Sequence, residues 1–267
     1  RMMIADVEVG CFLSGGIDSS LIASLVQKNS IKKIKTFTVG FNEEKYNEAN
    51  YAKKISEYIG SEHNEIIVSL DDMINNVDAI VDQFDEPFAD SSCLPTNIIS
   101  KFASKSLKVV LSGDGGDEIF LGYNRYAIAK KIMSLQSFTS RQTRSFLRKS
   151  INYLPMNLLD RLSSPFQKKF GLHGFSHKMM KLSNVLNYEN NSDFYKRLSI
   201  LDNSKLDQFL DSSDGIFCNY NNVELIESIQ RNDIDYYLLN DILTKVDRAS
   251  MDNSLEVRSP FLNHQLV

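Results

Sequence analysis

The stretch VEVGCFLSGGIDSSLIASLVQ, residues 7–27, changes structural character half-way along. Val7 to Leu13 is short, apolar and marked by glycine, the composition of a buried strand. Ile17 to Gln27 then places Ile17, Leu21, Ile22, Leu25 and Val26 on one helical stripe. Ser14, Gly15 and Gly16 stand between the two. Glycines let the backbone approach a ligand closely, and the helix that follows offers free N–H groups and the positive end of its dipole. Such a junction suits an anion, phosphate or pyrophosphate above all. A Walker A loop needs a lysine after its glycines, and a dinucleotide fingerprint needs GxGxxG; both are missing here. Asp18 inside an anion site makes sense with a cation, magnesium, bridging it to the phosphates.

The same alternation continues outward. Ile34 to Phe41 is rich in β-branched and aromatic residues and reads as a strand. A helix from about Tyr46 to Ile59 is expected to end at Gly60. His63 to Val68 gives a third strand. Ser69 is placed to cap a helix whose Met73, Ile74, Val77, Ile80, Val81 and Phe84 are expected to face inward. Leu94 to Ser106 reads as a helix and Leu107 to Leu111 as a fourth strand. Strands alternating with helices imply an α/β fold with a doubly wound, mostly parallel sheet. No strand is expected after about Glu118, so residues 1–126 form the α/β core and residues 127–267 a helical part.

In a parallel open sheet, ligands bind beyond the carboxyl ends of the strands. Three such ends carry chemistry: LSGGIDS (Leu13 to Ser19), VGF (Val39 to Phe41) and LSGDGGDE (Leu111 to Glu118). The last adds Asp114 and Asp117 to Asp18, so that three acids and two glycine-rich loops are expected on one edge.

Composition sets the bounds. The 267 residues are 42% hydrophobic and 24% charged, as in an ordinary globular protein. No apolar stretch is long enough to span a membrane, and the start RMMIADVEVG lacks the features of a signal peptide. Cys11, Cys93 and Cys218 are far apart and never in a CxxC pair, which suits a reducing cytoplasm and argues against a zinc site. The net charge of −4 is unevenly spread. From Arg125 to Lys181 there are 12 basic residues and one acid, Asp160, against 18 basic and 33 acidic residues elsewhere. A solvated helical face, or a surface that docks an acidic partner, accounts for that block, and a nucleic-acid or anionic-substrate surface is the alternative.

At this point a family resemblance emerges. SGGIDS resembles the SGGxDS signature of the N-type ATP pyrophosphatases. FTVGF, DEPFADSSCLPT (Asp85 to Thr96), VVLSGDGGDEIFLGYNRY (Val109 to Tyr126) and LLNDILTKVDRASMDNSLEVRSPFLN (Leu238 to Asn263) resemble the synthetase domain of glutamine-hydrolysing asparagine synthetases. The resemblance implies an adenine nucleotide alpha hydrolase-like fold and ATP and Mg²⁺ as cofactors. It places Leu13 and Val39 at the adenine, and Ser14, Gly15, Gly16 and Ser19 at the phosphates. It makes Asp18 and Asp117 magnesium and pyrophosphate ligands, and it puts Ser112 and Gly113 against the nucleotide. Asp114 falls at the acid needed to form an acyl-adenylate. The implied reaction converts a carboxylate, aspartate first, to an amide with release of AMP and pyrophosphate. Ammonia would come from a glutaminase domain, and the intact enzyme is a possible homodimer.

The family's glutaminase domain and its later lysine-bearing segment have no counterpart here. The chain is therefore expected to be a piece of a larger enzyme, binding nucleotide and turning over little alone. The Asp85 to Pro95 stretch contains no arginine, which leaves open another carboxylate, such as a sugar acid. A tRNA-modifying ATP pyrophosphatase is the alternative that the basic block supports. Lys245, Asp247 and Arg248 are candidates to reach the phosphates, although Asp241 and Lys245 also fit an i,i+4 pair. His173 and His177 share that spacing without a third metal ligand. Cys11 and Cys93 read as buried apolar fillers, and Glu256 with Arg258 as support for the fold.

Overall fold

The structure, a computed structural model, describes residues 2–43, 47–153, 179, 183–199, 218 and 220–267. His173, His177, Tyr46 and residues 154–178 of the basic block lie outside them. The chain divides into two compact units, one of Arg1–Phe120 with Tyr237–Val267, the other of Leu121–Tyr236. The sequence reading divides the chain once, between 126 and 127, whereas residues 237–267 group with the first unit.

That unit is built on five strands: β1 (Val9–Phe12), β2 (Lys35–Phe41), β3 (Glu62–Val68), β4 (Val109–Leu111) and β5 (Glu256–Arg258). Their order is β3-β2-β1-β4-β5, and every neighbouring pair is parallel. The chain steps outward from β1 to β3, then returns to the other side of β1 as β4. The order therefore switches between β1 and β4, the crevice where open α/β sheets bind ligands.

Alternation along the strands builds two apolar faces. Val9, Cys11 and Leu13 join Val109 and Leu111 against Ile22, Ala23 and Val26 of helix α1 (Ile17–Lys28) and Ala52 of α2 (Ala49–Ile59). Phe37 and Val110 face the other way, onto Ile99 and Ala103 of α5 (Cys93–Ala103) and onto Leu255. Helices thus cover both faces, as a doubly wound sheet requires. Gly60 ends α2 in the left-handed conformation, with φ of 74°.

Three expectations need correction. The expected stripe on α1 is split: Ile22 and Val26 are buried, whereas Ile17, Leu21 and Leu25 are exposed. The helix rests on the sheet through Ser19, Ile22, Ala23 and Val26, a narrower face made possible by the small Ser19 and Ala23. Ser69 does form a capping box with Asp72, but the segment breaks at Asn76 into α3 (Leu70–Asn75) and α4 (Val77–Gln83). Neither buries a residue, and Ile74, Val77 and Val81 are exposed. Finally, β5 was not expected after Glu118. Two of its three residues are charged, so its pattern is silent. Backbone bonds from Glu256 N to Lys108 O and from Ser112 N to Arg258 O, each 2.9 Å, join it to the β4 segment. Glu256 and Arg258 support the fold as read: Arg258 binds Glu256 and the carbonyls of Met2 and Ile4.

The second unit, among its described residues, is helical. It contains α7 (Asn124–Phe138), α8 (Arg141–Tyr153), α9 (Asn191–Ser199) and α10 (Leu225–Asn232). Tyr126, Ile132, Phe194, Tyr195, Leu225 and Ile229 form its core. Asp233, fully buried, accepts from the hydroxyls of Tyr126 at 2.5 Å and Tyr195 at 2.6 Å and pairs with Arg125 at 3.1 Å.

Candidate functional site

The loop after β1 is held from behind. Leu13 N donates to Phe37 O at 2.9 Å, and the Thr38 hydroxyl donates to Leu13 O. Ser14 and Ser19 share a hydroxyl–hydroxyl bond of 3.0 Å, and Gly16 N donates to Ser14 Oγ at 3.3 Å. Gly15 has φ of 85°, and a Cβ there would stand 2.7 Å from Ala52 N. The residue type is fixed by backbone conformation and by the approach of α2, not by a ligand alone. Gly16 is different: its added Cβ would meet only Ser14 Oγ, at 3.3 Å. It caps α1 with no side-chain hydrogen bond, so the first-turn N–H groups stay available to an anion.

The loop after β4 closes directly onto this junction. A Cβ on Gly113 would lie 2.9 Å from Ser19 N, and one on Gly116 2.7 Å from Asp18 Cγ. Gly116 opens the short helix α6 (Gly116–Ile119). The two glycine-rich loops therefore interlock at the switch point, with Asp18 lying against the second loop. Burial, and then the charge of Asp117, raise the Asp18 carboxyl above the ordinary carboxylate range. A cation beside Asp18 would relieve that repulsion. Among the described residues, no group of three or more His, Cys, Asp or Glu side chains gathers around a metal position. Two carboxylates completed by phosphate oxygens still match how magnesium is usually held.

Ser112 is buried, with its hydroxyl 3.3 Å from Ser259 Oγ. Burial raises the Asp114 carboxyl too, while the Ser112 hydroxyl and the Lys245 ammonium pull it down. Val39, partly buried, lies near the carboxyl end of β2, paired with Ile66. The structure thus brings Leu13, Ser14, Gly15, Gly16, Asp18, Ser19, Ser112, Gly113, Asp114 and Asp117 together around two adjacent strand ends.

Lys245 lies on α11 (Thr244–Met251). Its Nζ donates to Asp90 Oδ2 and to Ser92 Oγ, each at 2.7 Å. Asp90 carries no signal of this role in the local sequence. Its bonds from Ser92 N and Oγ, both 2.8 Å, make a turn that an Asp-x-Ser spacing signals. Asp247 is exposed, and Arg248 pairs with Asp85 at 2.8 Å. Burial pushes the Cys11 thiol up to about 12 and the Cys93 thiol up to about 11, so both behave as apolar fillers. Cys11, Cys93 and Cys218 are free. Among the described residues no helix is long and apolar enough to cross a membrane.

Comparison with known proteins was then decisive for the family. The family model described as asparagine synthase matches residues 1–267. The chain belongs to the asparagine synthase family. It is 34% identical over 271 residues to glutamine-hydrolyzing asparagine synthetase 1 of Bacillus subtilis (strain 168), covering 98% of this chain and 40% of that protein. It is 31% identical over 133 residues to the glutamine-hydrolyzing asparagine synthetase of Rattus norvegicus, covering 46% of this chain and 23% of that protein. The chain thus spans about two-fifths of the length of the first curated relatives it matches. Among solved structures, the NH3-dependent NAD synthetase from Campylobacter jejuni aligns with 73% of this chain and 89% of its own, at 15% identity and a TM-score of 0.33. That likeness is too slight to argue from, and the fold stands on the sheet order itself.

Proposed function

We propose that this chain activates a carboxylate with ATP for amide formation, aspartate being the first substrate and asparagine the product. In this reading a carboxylate oxygen attacks the α-phosphorus, pyrophosphate leaves, and ammonia then displaces AMP from the acyl carbon. The observation that carries it is the interlocking of the two glycine-rich loops at the β1/β4 switch point, where Asp18 lies against Gly116 beside the N-terminus of α1. Family membership supports the reaction class, and the chain's likeness to glutamine-hydrolyzing asparagine synthetases supports aspartate as substrate and glutamine as the ammonia source. A glutaminase domain would then supply the ammonia within the complete protein.

The proposed roles follow position. Leu13 and Val39 border the adenine. Ser14, Gly15, Gly16 and Ser19 cradle the phosphates with the first N–H groups of α1, and Ser112 and Gly113 flank the nucleotide. Asp18 and Asp117 would hold magnesium, which when bound supplies positive charge to the phosphates. Asp114 faces the activated carboxylate. Three free cysteines support a reducing compartment, the cytoplasm.

Titration calorimetry of ATP with and without Mg²⁺, followed by pyrophosphate release with aspartate and ammonium, tests this reading. Magnesium-dependent binding and aspartate-dependent release from the complete protein are expected. Release that ignores every carboxylate, or salt-steep retention of tRNA on filters, would replace it with the tRNA-modifying alternative.

A further inference from the structure

The candidate edge is strongly acidic, with Asp18, Asp114, Asp117 and Asp90 around it, yet both proposed reactants are anions. Magnesium would answer the phosphates at Asp18 and Asp117. A second cation is needed where a carboxylate approaches Asp114. Lys245 meets that need by position. It opens α11, which leads back into the parallel strand β5, as Asp90 and Ser92 precede α5, which leads back into β4. All three therefore stand at the carboxyl edge of the sheet that also carries Asp114. The Lys245 side chain is only 10% exposed, and a buried ammonium is tolerated only when paired. The pairing is complete: Asp90 Oδ2 and Ser92 Oγ at 2.7 Å each, with Asp90 itself fixed by Ser92 N.

The same helix face pins the whole segment. Arg248 Nη2 binds Asp85 at 2.8 Å, Gln83 Nε2 donates to Arg248 O at 2.6 Å, and Asn97 Nδ2 donates to Asp252 at 3.2 Å. The Arg248–Asp85 pair is exposed and contributes little. Lys245 is the buried charge among these contacts.

We infer that Lys245 is a positioning residue for the carboxylate substrate: it fixes the Asp85–Ser92 segment through Asp90 and keeps positive charge on the Asp114 side of the edge. The inference rests on the amidation reading above and adds a specificity role to it. A neutral residue at 245 leaves Asp90 uncompensated and the carboxylate repelled, while the phosphate loop after β1 is untouched.

The test uses the complete protein that carries this chain. Lys245→Met, Lys245→Arg and the double variant Lys245→Met with Asp90→Asn are compared for nucleotide affinity and for the carboxylate KM of pyrophosphate release. The double variant removes the stranded Asp90 charge, so it provides a folded protein if Lys245→Met alone does not. Expected are a carboxylate KM raised about tenfold or more in both methionine variants, ATP affinity changed by less than about threefold, and near-normal KM in Lys245→Arg. An unchanged KM, a matching loss of ATP affinity, or a normal KM in the double variant would each overturn the inference. A wild-type protein that releases no pyrophosphate with any carboxylate would instead overturn the amidation reading, and would do so before any variant is made.

Discussion

Asp18 and Gly116 show how one side chain and one absent side chain make a site. The carboxylate occupies space that a Cβ on residue 116 would fill, and it is held there against partial burial and the charge of Asp117. Its folded-state pKa is therefore raised, so Asp18 destabilises the metal-free protein at neutral pH and ceases to do so below its ordinary carboxylate range. Asp18→Asn should accordingly raise the melting temperature of the metal-free protein at pH 7, with the gain vanishing near pH 3. The same variant should weaken magnesium-dependent ATP binding by about tenfold or more. Paired melting and calorimetry check both signs, and a variant that melts lower while binding normally would contradict the shared-cation account. These residues were legible because Ser-Gly-Gly-x-Asp and Gly-Asp-Gly-Gly-Asp each announce themselves locally. Asp90 was not, because its ammonium partner lies 155 residues away and no local pattern encodes such a meeting.

At the scale of elements, Gly15 couples a loop to a helix. An alanine there must adopt φ near 85° and also collide with the Ala52 amide, so Gly15→Ala should cost about 1–3 kcal/mol from conformation alone, and more if α2 shifts. Chemical denaturation measures it; a neutral result would mean that the junction relaxes freely. In the helical unit, Tyr195→Phe removes one of two hydroxyls bound to buried Asp233 and should cost about 1–3 kcal/mol in the same experiment. The parallel strands β1, β2 and β4 were readable as largely buried runs bounded by turn residues, whereas β3, an edge strand with only Val68 buried, was readable from its place in the strand–helix alternation. The strand β5 was not: its three residues Glu256, Val257 and Arg258 acquire strand geometry from the β4 backbone, not from their own pattern. The apolar residues of α3 and α4 misled for the opposite reason. Their periodicity promises a buried face, yet the sheet faces are already taken by α1, α2 and α5, and Ile74, Val77 and Val81 stay exposed.

For the whole molecule, the decisive feature is that the strand order reverses where the chemistry gathers. β1 and β4 are adjacent in space although their register pairs Val9–Val109 and Cys11–Leu111 each join residues 100 apart in sequence. The order follows from short crossovers outward to β3 and a return across β1, so two sequence-distant glycine loops meet at one sheet edge. In the proposed reaction the acidic surroundings demand cations for an anionic nucleotide and an anionic carboxylate to meet. If the reaction is carboxylate activation, one oxygen of the substrate must end in AMP, because ammonia attacks carbon and the bridging oxygen leaves with phosphorus. The most direct measurement is therefore mass spectrometry of AMP formed by the complete protein from ¹⁸O-carboxylate-labelled aspartate, ATP, Mg²⁺ and ammonium. AMP carrying one ¹⁸O atom is the predicted result; unlabelled AMP, or ADP in its place, would contradict the account.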